Sequence, residues 1–226
     1  MEKIVVLKDI VRFFPSGAQM LASADLTVAR GELTAILGGT GSGKTTLIRL
    51  ISGMELPDGG IVAVMGQELG RMSGIRRAAF RNAHIGVVLK NADVIEAFTA
   101  VENTALPLLA GGMGKRNALR QAGDILNAFG LKNRMRERAG ALRTYERRIV
   151  SLARACAGRP AMILMDEPGS DLSEGEKEKI MNCLQVIANS GSCTVICTTA
   201  DNRFASMFNR ILHLVDGKII EEKYNE

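Results

Sequence analysis

Apolar positions come first in short, β-rich runs and later at helical spacing. Residues 4–7, 26–28 and 33–37 read as strands, and the last runs into a glycine-rich stretch and a helix-like segment over 45–52 that Gly53 is placed to stop. Residues 60–65 form a further strand, and 85–89 are an apolar run of the kind a sheet buries on both faces. From 101 to 156 the texture turns to Ala, Leu, Arg and Gly, with helical periodicity over 118–129 and at Ile149, Leu152, Ala153 and Cys156. Strand patterns return at 161–165 and 193–198, separated by a charged helical stretch over 174–188. This alternation predicts an α/β fold with a parallel sheet and a helical insert. Residues 211–215 and 218–221 flank Asp216-Gly217, a pair suited to a tight primed hairpin turn.

Composition narrows the classes rather than naming one. The 226 residues are 46% hydrophobic and 23% charged, enough apolar material for one core of ordinary size. The formal charge of +5 suits nucleic acid, an anionic surface or phosphate alike. The basic stretch over 132–148 holds a single aromatic, Tyr145, for stacking on bases, so no nucleic-acid partner is expected. Cys156, Cys183, Cys193 and Cys197 form no C-x-x-C pair and sit in apolar surroundings, which predicts buried free thiols in a reducing cytosol. The first residues lack the apolar core of a signal peptide, and no later apolar run reaches about 18 residues.

The strongest chemical signal is Gly38, Gly39, Thr40, Gly41, Ser42, Gly43, Lys44, Thr45 and Thr46, which fits G-x-x-x-x-G-K-[ST] between a strand and a helix. The glycines let successive backbone N–H groups turn inward around phosphate oxygens, and the new helix aims its positive end at them. Lys44 is expected to neutralise the β- and γ-phosphates and Thr45 to ligate magnesium, with ATP and Mg2+ as the implied cofactors. Further on, an apolar strand ends abruptly in Asp166-Glu167-Pro168, at the strand end where α/β sheets carry ligands. Asp166 is the candidate second magnesium ligand, and Glu167 the candidate catalytic group that polarises the attacking water.

These two motifs, about 120 residues apart around a helical insert, make the chain resemble the ABC transporter ATPases over essentially its whole length. Asp166-Glu167-Pro168 followed by Gly-Ser-Asp-Leu-Ser173 looks like that family's Walker B and D-loop, and Ala153-Arg154-Ala155 like the preceding helix. The stretch from Ala100 to Leu109 is similar to the lipoprotein-release and macrolide-export branch. The resemblance implies a single nucleotide-binding domain over 1–226. Its RecA-like P-loop core and N-terminal antiparallel β subdomain would take residues 1–90 and 158–226, and its helical subdomain 91–157. It also implies that Phe14 stacks on adenine, that a second ABC ATPase subunit and a membrane permease are the partners, and that the chain sits in the cytoplasm, peripheral to the membrane.

The same resemblance exposes departures. The family signature Leu-Ser-Gly-Gly-Gln aligns with Leu142, Arg143, Thr144, Tyr145 and Glu146, which adds side chains where glycine would let a backbone approach a phosphate. Lys90 stands at the family's Q-loop glutamine, and Ala200, which can neither hydrogen-bond through its side chain nor carry charge, at its switch histidine. These changes predict weak or absent hydrolysis, while the retained Glu167 leaves an ordinary ATP-driven exporter subunit as the alternative.

Overall fold

The computed structural model describes residues 2–14, 16–90, 94–189 and 193–221. In chain order the elements are β1 (Lys3–Phe13), β2 (Gln19–Ala29), β3 (Leu33–Leu37), α1 (Lys44–Ile51), β4 (Gly59–Val64), β5 (Gln67–Glu68), α2 (Gly74–His84) and β6 (Ile85–Val88). They continue as α3 (Ala100–Ala110), α4 (Lys115–Ala128), α5 (Thr144–Ala157), β7 (Met162–Asp166), α6 (Glu174–Asn189), β8 (Thr194–Thr199), α7 (Asn202–Ala205), β9 (Arg210–Val215) and β10 (Lys218–Glu221). The chain divides into two compact units, residues 1–81 with 194–226, and residues 82–193.

The first unit holds an antiparallel sheet in the order β2-β1-β4-β5. Strands β1 and β2 are longer than the apolar runs at 4–7 and 26–28 because irregularities interrupt their alternation. The register shifts between Leu7 and Ile10, where Asp9 and Ser23 both take positive φ and Ser23 Oγ donates to Asp9 Oδ1 at 2.9 Å. Beside this lies a parallel group in which β3 is flanked by β8 and β9. All six residues of β8 are buried, the two-faced burial that a run such as Val195-Ile196-Cys197 requires. The β9–β10 hairpin closes through Asp216 (φ 48) and Gly217 (φ 73), the two left-handed residues of a primed turn, as the Asp-Gly pair predicts.

Helix α1 buries Leu47, Ile48, Leu50 and Ile51 and ends at Ser52, followed by left-handed Gly53 (φ 68). Helix α2, absent from the sequence expectation, has no buried residue at all. It is held from its polar side, where Arg77 Nε donates to the Gly53 carbonyl at 2.8 Å and Nη1 to that of Met72 at 3.1 Å.

The second unit combines the parallel pair β6–β7 with helices α3 to α6. Residues 91–93 of the expected 91–157 insert lie outside the described residues. Helix α3 opens with a capping box: Glu102 N–H donates to Thr99 Oγ1 at 3.3 Å and Thr99 N–H to Glu102 Oε2 at 2.9 Å. Ala105, Leu108, Ala118, Ala122 and Ala157 form the packed centre of α3, α4 and α5, where small residues let the helices approach. Buried Asn103 is satisfied by the backbone of Ile95, accepting from its N–H at 2.8 Å and donating to its carbonyl at 3.0 Å.

Candidate functional site

Each unit carries its own group of candidate residues. In the first unit β3 delivers the chain to Gly38, whose N–H donates to the Thr199 carbonyl of β8 at 3.1 Å. The loop then turns through Gly41 (φ 80) and Gly43 (φ 100), conformations that L side chains rarely adopt, and α1 begins. A Cβ at Gly38 would lie 2.6 Å from Ser42 Oγ and 3.0 Å from the Leu214 carbonyl, and one at Gly43 only 3.2 Å from Met20 Cγ and 3.3 Å from Leu21 Cδ2. Gly39 and Gly41 meet nothing within 4 Å, so tight packing fixes glycine at the two ends of the loop.

Lys44 is 5% exposed, and its Nζ donates to the Gly38 and Gly39 carbonyls at 2.7 Å each, curling the loop around its own cation. Ser42 Oγ is buried with no hydrogen-bond partner among the described residues, a cost that an anion seated in the loop would remove. With the N–H groups that the start of α1 turns toward the loop, these features fit a polyphosphate. Thr45 is exposed at that helix start and Thr46 half-buried; Thr40 lies exposed at the loop's crest. Phe14 is half-buried at the turn after β1, its N–H donating to the Ala18 carbonyl at 2.7 Å. Its neighbour Phe13, which sequence reasoning passed over, is 45% exposed and pairs with Gln19, one residue from the Met20 that packs on Gly43. Ala200 is exposed at the end of β8; the chain there turns into α7, capped by Asp201, whose Oδ1 accepts from the N–H groups of Arg203 and Phe204 at 2.9 and 3.2 Å.

In the second unit β7 is buried along its whole length and ends in Asp166, which is 1% exposed. Glu167 follows at φ 49, and Ser170 fixes that conformation by donating to the Glu167 carbonyl from its N–H at 3.1 Å and its Oγ at 2.9 Å. Asp171 is likewise left-handed (φ 61). Non-glycine residues in this region are uncommon and concentrate where function holds them. The Thr45 hydroxyl in the first unit and the Asp166 carboxylate in the second are each oxygen groups of the kind magnesium takes.

The signature segment begins α5. Arg143 and Thr144 are exposed, whereas Tyr145 is half-buried, with its hydroxyl 3.3 Å from Glu146 Oε1 and its ring 4.5 Å below the Lys179 ammonium of α6. Glu146 is 4% exposed and caps the helix by accepting the Arg143 N–H at 2.9 Å, with Arg134 Nε 3.5 Å away. The position therefore keeps a structural task although the motif is altered. Lys90 is exposed, and its main-chain carbonyl accepts from buried Arg148, a residue the sequence reading did not single out. The available signal was an arginine inside a helical run whose neighbours Ile149, Val150, Ser151 and Leu152 are all buried.

A glycine loop closing on a lysine at a helix start, separate from an acid pair at a buried strand end, defines a P-loop nucleotide-binding protein. The ABC transporter family model matches residues 21–170, and the chain belongs to that family as an ATP-binding domain. It is 37% identical over 221 residues to the lipoprotein-releasing system ATP-binding protein LolD of Psychrobacter arcticus, covering 96% of this chain and 98% of that one. To LolD of Bacteroides fragilis it is 35% identical over 217 residues, covering 96% and 100%. Among solved structures, the ATP-binding cassette MJ0796, a dimer in a post-hydrolysis state bound to ADP and Pi, matches with TM-score 0.90 and 28% identity over 99% of both chains. The α/β cassette fold and the likeness to the lipoprotein-release branch both follow from these matches.

Proposed function

We propose that this chain is the ATP-binding subunit of a membrane transport complex, pairing with a second ABC ATPase subunit and docking on a separate permease at the cytoplasmic face of the membrane. Among the described residues, no helix is long and apolar enough to cross a membrane, so a membrane role for these elements runs through a partner. The observation that carries the reading is the phosphate loop: Lys44 buried over the Gly38 and Gly39 carbonyls, with Ser42 Oγ awaiting a partner. In this reading Lys44 and the loop N–H groups hold the phosphates, Phe14 contacts the base, and Thr45 and Asp166 hold magnesium, which would spread the charge of the phosphates. Glu167 orients the attacking water.

Hydrolysis by the subunit is proposed to be weak. Lys90, Arg143, Thr144, Tyr145 and Ala200 replace groups that the family uses to orient water and to approach the γ-phosphate across a dimer. The retention of Glu167, in a conformation held by two hydrogen bonds from Ser170, favours the second reading of an ordinary hydrolysing exporter subunit.

One comparison tests both. Wild type and Lys44→Ala are titrated with a fluorescent ATP analogue plus magnesium, and phosphate release is followed in parallel. Nucleotide affinity reduced about 100-fold in the variant, from losing a buried charge-assisted contact, with little phosphate release by wild type, supports the weak ATPase. Brisk release abolished by Glu167→Gln would replace it with the ordinary ATPase, and equal affinity in both proteins would sink the ATP-binding reading.

A further inference from the structure

Arg148 on α5 is 3% exposed, the only buried arginine among the described residues. A guanidinium removed from water is costly unless its hydrogens are used and its charge is answered. Its Nη1 donates to the Leu89 carbonyl at 3.0 Å and also to the Lys90 carbonyl. Nε is buried and finds no acceptor among the described residues. The partners of the guanidinium are therefore main-chain oxygens at the exit of β6. The β6–β7 register ends with Val88 opposite Met165, and Leu89 and Asp166 are the residues that follow those two in the chain. Burial lowers the pKa of Arg148, and the nearby negative charges of Asp171 and then Asp166 oppose that shift.

We propose that Arg148 is a positioning residue that clamps the backbone at Leu89 and Lys90 and brings a fixed positive charge to the acid end of β7. Both bonds leave from Nη1, which lies one bond further along its side chain than a lysine Nζ, so an ammonium on the shorter stem does not reproduce the contact. Because the clamp reads carbonyl oxygens, it is indifferent to the side chain at position 90, and the backbone path there survives the replacement of glutamine by lysine. The same charge stands against a divalent cation at Asp166 and weakens its binding. This second consequence rests on the ATP-binding reading above; the clamp does not.

The test uses the full chain with Arg148→Lys, Arg148→Gln and Lys90→Ala. Hydrogen–deuterium exchange over residues 85–90 reads the clamp, and Mn2+ binding in the presence of ADP reads the charge. Arg148→Lys and Arg148→Gln are expected to speed exchange in that segment by about tenfold, while Lys90→Ala leaves it unchanged. Arg148→Gln is expected to tighten Mn2+ binding by roughly three- to tenfold, whereas Arg148→Lys, which keeps the charge, stays within about twofold. Unchanged exchange in both arginine variants, or equal loosening by Lys90→Ala, overturns the clamp. Equal Mn2+ shifts in the lysine and glutamine variants overturn the electrostatic role. If wild type binds no Mn2+ with ADP, the ATP-binding reading and the electrostatic role fall together, and the exchange measurement still decides the clamp.

Discussion

Replacing Gly43 by alanine probes how far the phosphate loop is held by packing rather than by ligand. The residue sits at φ 100 and ψ 8, outside the narrow left-handed well open to L side chains, so alanine there costs roughly 2 kcal/mol in backbone strain. The added Cβ lies 3.2 Å from Met20 Cγ, which can swing away, and 3.3 Å from Leu21 Cδ2, whose side chain is fully buried and cannot. Forcing a methyl into such a contact adds about 1–3 kcal/mol. Alanine returns about 0.4–1 kcal/mol by restricting the unfolded chain. The net loss is then about 2–4.6 kcal/mol, readable as a lowered urea midpoint by circular dichroism, with weakened binding of a fluorescent ATP analogue as α1 shifts. Gly39→Ala is the control, because its Cβ meets nothing within 4 Å and its φ is not positive. It should stay within about 0.5 kcal/mol of wild type. A Gly43→Ala loss below about 1 kcal/mol, or a Gly39→Ala loss equal to it, would refute the argument that packing against β2 sets the loop's shape.

Three further outcomes follow from the structure. Gly86→Ala places a Cβ 2.4 Å from the Ala155 carbonyl oxygen, a backbone atom of α5, so a stability loss above about 3 kcal/mol is expected; a melting temperature within about 2 °C of wild type would contradict it. Hydrogen bonds from the Thr99 backbone N–H and then its hydroxyl hold the Glu102 carboxyl below the usual carboxylate range. A depressed folded pKa gives stability that is present above the unfolded value and lost as pH falls through the folded one, so the gap in urea midpoint between wild type and Glu102→Gln should shrink from pH 7 to about pH 3; a constant gap would be the contrary result. Burial pushes Cys183 up to about 12 and Cys193 up to about 11, so iodoacetamide at about pH 8 should label neither thiol in the folded protein and both in urea, as read by mass spectrometry.

The phosphate loop, the acid pair, the strands around them and the Asp216-Gly217 hairpin were legible in the sequence because each depends on local chemistry. A motif at fixed spacing, a run of residues buried on both faces and a turn that needs two positive φ values leave their mark within a few positions. Helix α2 left no such mark. It buries nothing, its Ile75 is 86% exposed, and it is fastened by arginines reaching the Gly53 and Met72 carbonyls, so hydrophobic periodicity had nothing to report. The same limit applies at the site. Sequence placed Tyr145 and Glu146 at an altered signature, but only packing decided that the tyrosine ring lies against Lys179 and that the glutamate caps α5. Nor could spacing say that Arg148 spends its charge on the carbonyls of Leu89 and Lys90, 59 and 58 residues away along the chain. Backbone preferences and motifs act over one or two turns of chain, whereas a buried charge is satisfied by whatever oxygen the fold brings to it.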